Sequence, residues 1–98
     1  MDIVTANEEL NRWCGTKNIN YYEGNTALGF LFKHAVPRLE GECWITFEHP
    51  YGQPLLWRAS IKWVDKGDDE DIDAVHEDVG PALFWAISKV KEAIGGKE

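Results

Sequence analysis

The stretch that decides the fold is Cys43–Val64, "CWITFEHPYGQPLLWRASIKWV". In its second half Leu55, Trp57, Ala59, Ile61 and Trp63 alternate with Leu56, Arg58, Ser60, Lys62 and Val64, a period of two with one apolar and one mostly polar face. In its first half Cys43, Ile45 and Phe47 alternate with Trp44, Thr46 and Glu48. "HPYGQP" between them holds the turn formers of a hairpin loop. For both apolar sets to share a face, odd-numbered residues must oppose odd-numbered ones, for example Phe47 with Leu55 and Ile45 with Trp57. A slip of one residue would bring Ile45 beside Arg58 and turn Trp57 to water.

Downstream, "GPALFWAISKVKEAIGG" reads as a helix. Leu83, Ile87, Val90 and Ile94 form an i, i+4, i+7, i+11 stripe with Phe84 beside it. Pro81 suits the first helical position with Gly80 as cap, and Glu77 and Asp78 lie where the helix N-terminus favours negative charge. Lys89 and Lys91 approach the other end, and Gly95-Gly96 close it. Upstream, "TANEELNRWCG" gives a shorter helix, with Thr5 as N-cap, Glu8 completing a capping box, Gly15 as stop, and Ala6, Leu10, Trp13 and Cys14 on one face. The segment between is less decided. "NINYYE" is compatible with a short strand before the turn at Gly24-Asn25, and "LGFLFKH" with a strand or one helical turn. Pro37 and Gly41 predict loop.

Ninety-eight residues support one core, so the expectation is a single α+β domain over residues 1–98. It has a small antiparallel β-sheet of about three strands, packed with an N-terminal and a C-terminal helix. The odd-numbered residues of the hairpin face inward, under the Leu83 ridge.

Net charge is −7, and all of it lies in one place. Between Asp65 and Asp78 eight carboxylates stand against Lys66, whereas the rest of the chain balances nine acids with nine bases. Direct binding of nucleic acid is therefore not expected. Two cysteines, Cys14 and Cys43, do not make a disulfide framework and read as buried thiols in a reducing compartment. With no leader pattern and no apolar run of about 20 residues, neither export nor membrane insertion is expected, which points to the cytoplasm.

The acidic segment has three readings. As a calcium loop, Asp69, Asp71 and Asp73 match the alternating start, but Ala74 stands where a sharp turn needs Gly and Gly80 where a bidentate Glu is required. As a phosphate mimic, Asp69, Glu70, Asp71 and Asp73 would occupy a basic groove on a partner. As a solvated connection, its like charges keep it extended. His34, His49 and His76 show no ligand spacing with each other or with the cysteines, and His49 and His76 read as surface residues. No nucleophile elbow or glycine-rich phosphate loop is present. No catalytic residue, cofactor or metal is therefore expected.

Of five tryptophans, Trp13, Trp57 and Trp63 fall on core faces. Trp44 lies on the Thr46–Glu48 side of its strand, and Trp85 points from the Leu83 stripe toward Lys89 and Glu92. Either the second sheet face is also covered, or these two mark a partner surface, because exposed tryptophan is enriched at interfaces.

The hairpin "CWITFEHPYGQPLLWRASIKW" leading to "EDVGPALFWAISKVKEAIGG" resembles small bacteriophage and prophage proteins of the phage ABA sandwich domain type. The similarity covers Cys43 to Gly96, the "EELNRW" helix is compatible with it, and the long acidic loop departs from it. The resemblance implies a sheet sandwiched by helices and a phage or prophage origin. It implies no activity and carries over no site residues. The resulting expectation is a phage-encoded, non-catalytic protein that binds another protein, with a homodimer through the aromatic side as a further expectation. Two alternatives stand beside it. One is an anti-defence protein, an inhibitor of a CRISPR complex or nuclease, working through the acidic loop. The other is a small-molecule binder or enzyme with a pocket between sheet and helices.

Overall fold

A computed structural model describes residues 2–24, 26–39, 43–63 and 72–95. Helix α1 spans Ile3–Cys14, α2 Ala27–Phe30 and α3 Val79–Gly95, and the strands are β1 Cys43–Glu48, β2 Trp57–Trp63 and β3 Ile72–His76. The strands form one antiparallel sheet in the order β1-β2-β3. This is the mixed α+β class expected.

The parity of the hairpin is as read, and its register is not. Phe47 pairs with Ala59, Ile45 with Ile61 and Cys43 with Trp63, so odd faces odd but displaced four residues from the Phe47–Leu55 and Ile45–Trp57 pairs. The loop is longer than the sequence pattern implied. Gln53 N donates to Pro50 O at 2.9 Å and Leu56 N to Gln53 O at 3.1 Å, which makes two successive turns. Gly52 sits at φ 76°, in the left-handed region that glycine tolerates. His49 Nδ1 lies 2.8 Å from Leu56 O, closing the loop, and its ring sits 4.1 Å from that of Trp57. Leu55, expected on the core face, is 85% exposed in this loop.

The inward face of the sheet carries Ile45, Phe47, Ala59, Ile61 and Trp63, joined by Ala74 of β3. Leu83, Phe84, Ile87 and Val90 of α3 are all buried among them, as the helical stripe predicts. Ile94, the last member of that stripe, lies outside the described side chains. Helix α3 crosses β2 and β3, and α1 packs on α3. Two cations tie the layers together: Lys89 Nζ donates to Asp73 O at 2.6 Å, and Lys91 Nζ pairs with Glu9 at 3.1 Å.

Two further expectations are corrected, and one open choice is decided. The third strand comes from the downstream end of the acidic segment, Ile72–His76, where Ile72 and Ala74 have inward-facing partners in Ile61 and Ala59. "NINYYE" forms bends, with no strand. "LGFLFKH", compatible with a strand or one helical turn, is helical, in α2 and a π-turn, Leu31–Ala35, and a 3-10 turn, Val36–Arg38, follows where Pro37 predicts loop. Pro37 supplies the reason: it has no N–H to donate, and its ring crowds the carbonyl four residues back, so the helix widens before it ends.

Helix ends also shift. The N-cap of α1 is Asp2, whose Oδ1 accepts from Thr5 N at 2.7 Å, so Thr5 is the third helical residue and not the cap. A carboxylate there satisfies a free amide and meets the positive end of the helix, which lets α1 begin three residues earlier. Gly15 ends it at φ 71°. At the other helix Pro81 is the third residue, not the first, because α3 starts at Val79.

Candidate functional site

Two surfaces gather the residues of interest. The first is the outer face of the sheet. Trp44, Thr46 and Glu48 of β1 and Asp73 and Val75 of β3 are exposed on it, with Arg58, Ser60 and Lys62 of β2 half-buried between them. Pairing sets these side chains in rows: Trp44 beside Lys62, then Thr46–Ser60–Asp73, then Glu48–Arg58–Val75. Arg58 lies 3.4 Å from Glu48 and 3.6 Å from Asp73, so the central charge is shared by two carboxylates. The helices pack on the opposite, inward face, and among the described residues no element covers this second face. Trp44 is 59% exposed on it.

Trp85 lies elsewhere. It is half-buried in the helical layer, its ring edge-on to Phe84 at 5.0 Å and to Tyr22 at 6.3 Å. The two tryptophans singled out by pattern therefore do not form one patch. Of the four loop carboxylates named as a phosphate mimic, Asp73 is on β3 beside Arg58, and Asp69, Glu70 and Asp71 lie outside the described residues.

The second surface is an open groove of about 670 Å³ at the end of the sheet where α3 begins. Tyr22, Trp57 and His76 line it together with Glu23, Glu77 and Asp78. Sequence reading missed Tyr22 and placed His76 on the surface. In the structure His76 is half-buried in β3, opposite Trp57 of β2. Asp78 N donates to His76 Nδ1 at 3.1 Å, which makes Nδ1 an acceptor. The neutral ring then carries its hydrogen on Nε2, which donates to Tyr22 Oη at 3.1 Å. Tyr22 is held further by edge contacts to His76 at 6.0 Å and Phe84 at 5.1 Å.

What places Tyr22 is a pair of asparagines one turn apart on α1. Asn7 Oδ1 accepts from Tyr21 N at 2.9 Å, and its Nδ2 donates to Ile19 O at 2.9 Å. Asn11 Nδ2 donates to Ile19 O at 2.8 Å, while its Oδ1 accepts from Ile19 N at 3.1 Å and from Thr16 Oγ1 at 2.9 Å. The two amides treat the loop as a neighbouring strand would, by filling its backbone groups. Tyr21, fully buried, anchors the same loop, and burial pushes its hydroxyl up to about 12, against a hydrogen bond with Thr16 that works the other way. No periodicity reveals this clamp, although an asparagine pair spaced i, i+4 on a helix face is a visible cue.

Cys14 and Cys43 form no disulfide and are half-buried, less enclosed than the buried thiols expected. Burial pushes both thiols up. Among the described residues no three His, Cys, Asp or Glu side chains gather closely enough to hold a metal ion, and no helix is long and apolar enough to cross a membrane. Comparison with protein-family models, with curated proteins and with solved structures finds no match to this chain.

Proposed function

We propose that the protein is a non-catalytic binding module that docks on another protein through the outer face of its sheet. The observation that carries this reading is a sheet face that no described element covers, with Trp44 59% exposed on it. A tryptophan left in water forfeits burial of roughly 150–250 Å² of ring surface, and a partner recovers it. Charge supports a protein occupant rather than nucleic acid. Glu48 and Asp73 balance Arg58 and Lys62, so the face is close to neutral and offers no excess of cations to phosphate. A phage or prophage setting in a bacterial host belongs to this proposal through the resemblance described above.

The anti-defence reading, with the acidic segment laid in a basic groove, is weakened at one position, since Asp73 already shares Arg58. Affinity capture from a bacterial host separates the two, using wild type, Trp44→Ser, and a variant with Asp69, Glu70, Asp71 and Asp73 changed to their amides. The sheet-face reading expects a partner that Trp44→Ser loses and the amide variant keeps. The reverse pattern establishes the mimic. Equal recovery by all three removes both. Sedimentation of the free protein adds the self-association arm, in which a dimer that dissociates on Trp44→Ser makes the occupant a second copy.

A further inference from the structure

The groove beside α3 is independent of the sheet face and has a composition of its own. Two aromatic rings that carry electron-rich faces, Tyr22 and Trp57, line it with the His76 ring. Three carboxylates, Glu23, Glu77 and Asp78, stand at its rim, all exposed. Among the described residues no Lys or Arg lines it. The start of α3 opposes this with about half a positive charge, against three formal negatives, so the carboxylates set the sign of the local potential. Aromatic faces within about 6 Å of a cation attract it through the ring quadrupole, and do so more strongly when acidic groups share its charge.

We propose that this groove binds an organic cation, an ammonium or guanidinium group held against Tyr22 and Trp57 and neutralised by Glu23, Glu77 and Asp78. The His76–Tyr22 pair adds a selective feature. Because His76 Nε2 donates to Tyr22 Oη, the hydroxyl hydrogen of Tyr22 has no acceptor among the described residues. It serves an occupant that carries a hydrogen-bond acceptor near its positive group. A second hollow, lined by Pro54, Leu55 and Leu56, shares Glu77 and Asp78 with the groove, and gives room for an apolar neighbour of the cation. The positive group can belong to a free amine or to a Lys or Arg side chain of a protein, and the recognition chemistry is the same.

The test is a titration of the full chain, followed by the NMR signals of the Trp57 indole and the Tyr22 ring. The probes are tetramethylammonium chloride, arginine amide, and a short peptide with one Arg followed by Leu. Sodium chloride at matched ionic strength and sodium phosphate are the controls. The expected result is a saturable shift with the cations and none with either control. Replacing one carboxylate, Glu77→Gln or Glu23→Gln, weakens binding about fourfold, the factor one charge about 5 Å away supplies in a water-exposed site. Both side chains are exposed, so neither change threatens folding. Peptide binding at least about tenfold tighter than arginine amide assigns the cation to a partner chain, and equal affinity assigns it to a free amine. Shifts that track ionic strength alone, saturation by phosphate, or affinity unchanged in both variants would overturn the proposal.

Discussion

Asn11→Ala tests the idea that two side-chain amides on α1 hold the loop that presents Tyr22. Asn11 is only 8% exposed and serves three backbone or hydroxyl partners beyond its own helix turn: Ile19 O, Ile19 N and Thr16 Oγ1. Truncation does not orphan them equally. Ile19 O keeps Asn7 Nδ2, and Thr16 keeps Tyr21 Oη at 2.7 Å, so the group left without a partner is the Ile19 amide. An unsatisfied, partly buried amide costs about 1–3 kcal/mol, and the lost second bond to Ile19 O adds about 1 kcal/mol. The better helix propensity of alanine returns roughly 0.5 kcal/mol. The net expectation is about 1.5–3.5 kcal/mol, a large part of the roughly 5–15 kcal/mol that holds a domain of this size together. With a urea slope of about 1–3 kcal/mol per molar, the midpoint of a tryptophan-fluorescence unfolding curve falls by at least about 0.5 M. Asn11→Asp at pH 7 is the companion variant. It keeps the acceptor for Ile19 N but turns an oxygen toward Ile19 O and Asn7 O, which Nδ2 meets at 2.8 and 3.0 Å, so it rescues nothing. A loss below about 0.5 kcal/mol for Asn11→Ala, or an aspartate variant as stable as wild type, would refute the clamp.

Other outcomes follow from single contacts. Tyr21 holds its proton in the fold to about pH 12, against an ordinary value of 10. Its contribution is therefore complete below pH 10 and is lost as pH rises from there through 12, about 2–3 kcal/mol in total. Tyr21→Phe, compared with wild type by denaturant unfolding at pH 7 and 11, is less stable at the first and shows a smaller loss between them. Asp2→Ala destabilises α1 more than Thr5→Ala does, by thermal unfolding at pH 7. The hydrogen bond from Thr5 holds the Asp2 carboxyl below its usual 3.8, so the cap is complete above that pH, and its advantage disappears as acid carries the solution through the lowered folded value. Ser88, 5% exposed on α3 with no partner for its hydroxyl among the described residues, is a site where Ser88→Ala raises stability by up to about 1 kcal/mol in urea. Trp44→Ser leaves the unfolding midpoint nearly unchanged while it removes partner binding, because the side chain already faces solvent.

Period-two and helical spacing made the hairpin faces and the Leu83 ridge legible. Burial follows side-chain direction, and direction follows from backbone period alone. The same logic separates Trp44 from Trp57 and Trp63. Register was beyond it, because Phe47 opposite Leu55 and Phe47 opposite Ala59 satisfy parity equally, and the choice fell to turn geometry at Pro50–Leu56 and to the His49–Leu56 contact. Ile72–His76 was masked by charge: its inward residues are few and its outward Asp73 belongs to an acidic run, so only pairing with β2 discloses a strand. The Tyr22–His76 groove joins residues 54 positions apart. The sequence by itself determined which faces are wet and which are dry, a local property of each element. Which dry faces meet, how far the strands slide, and what collects where their ends converge were decided by tertiary packing, because contacts distant along the chain leave no period for a sequence to display.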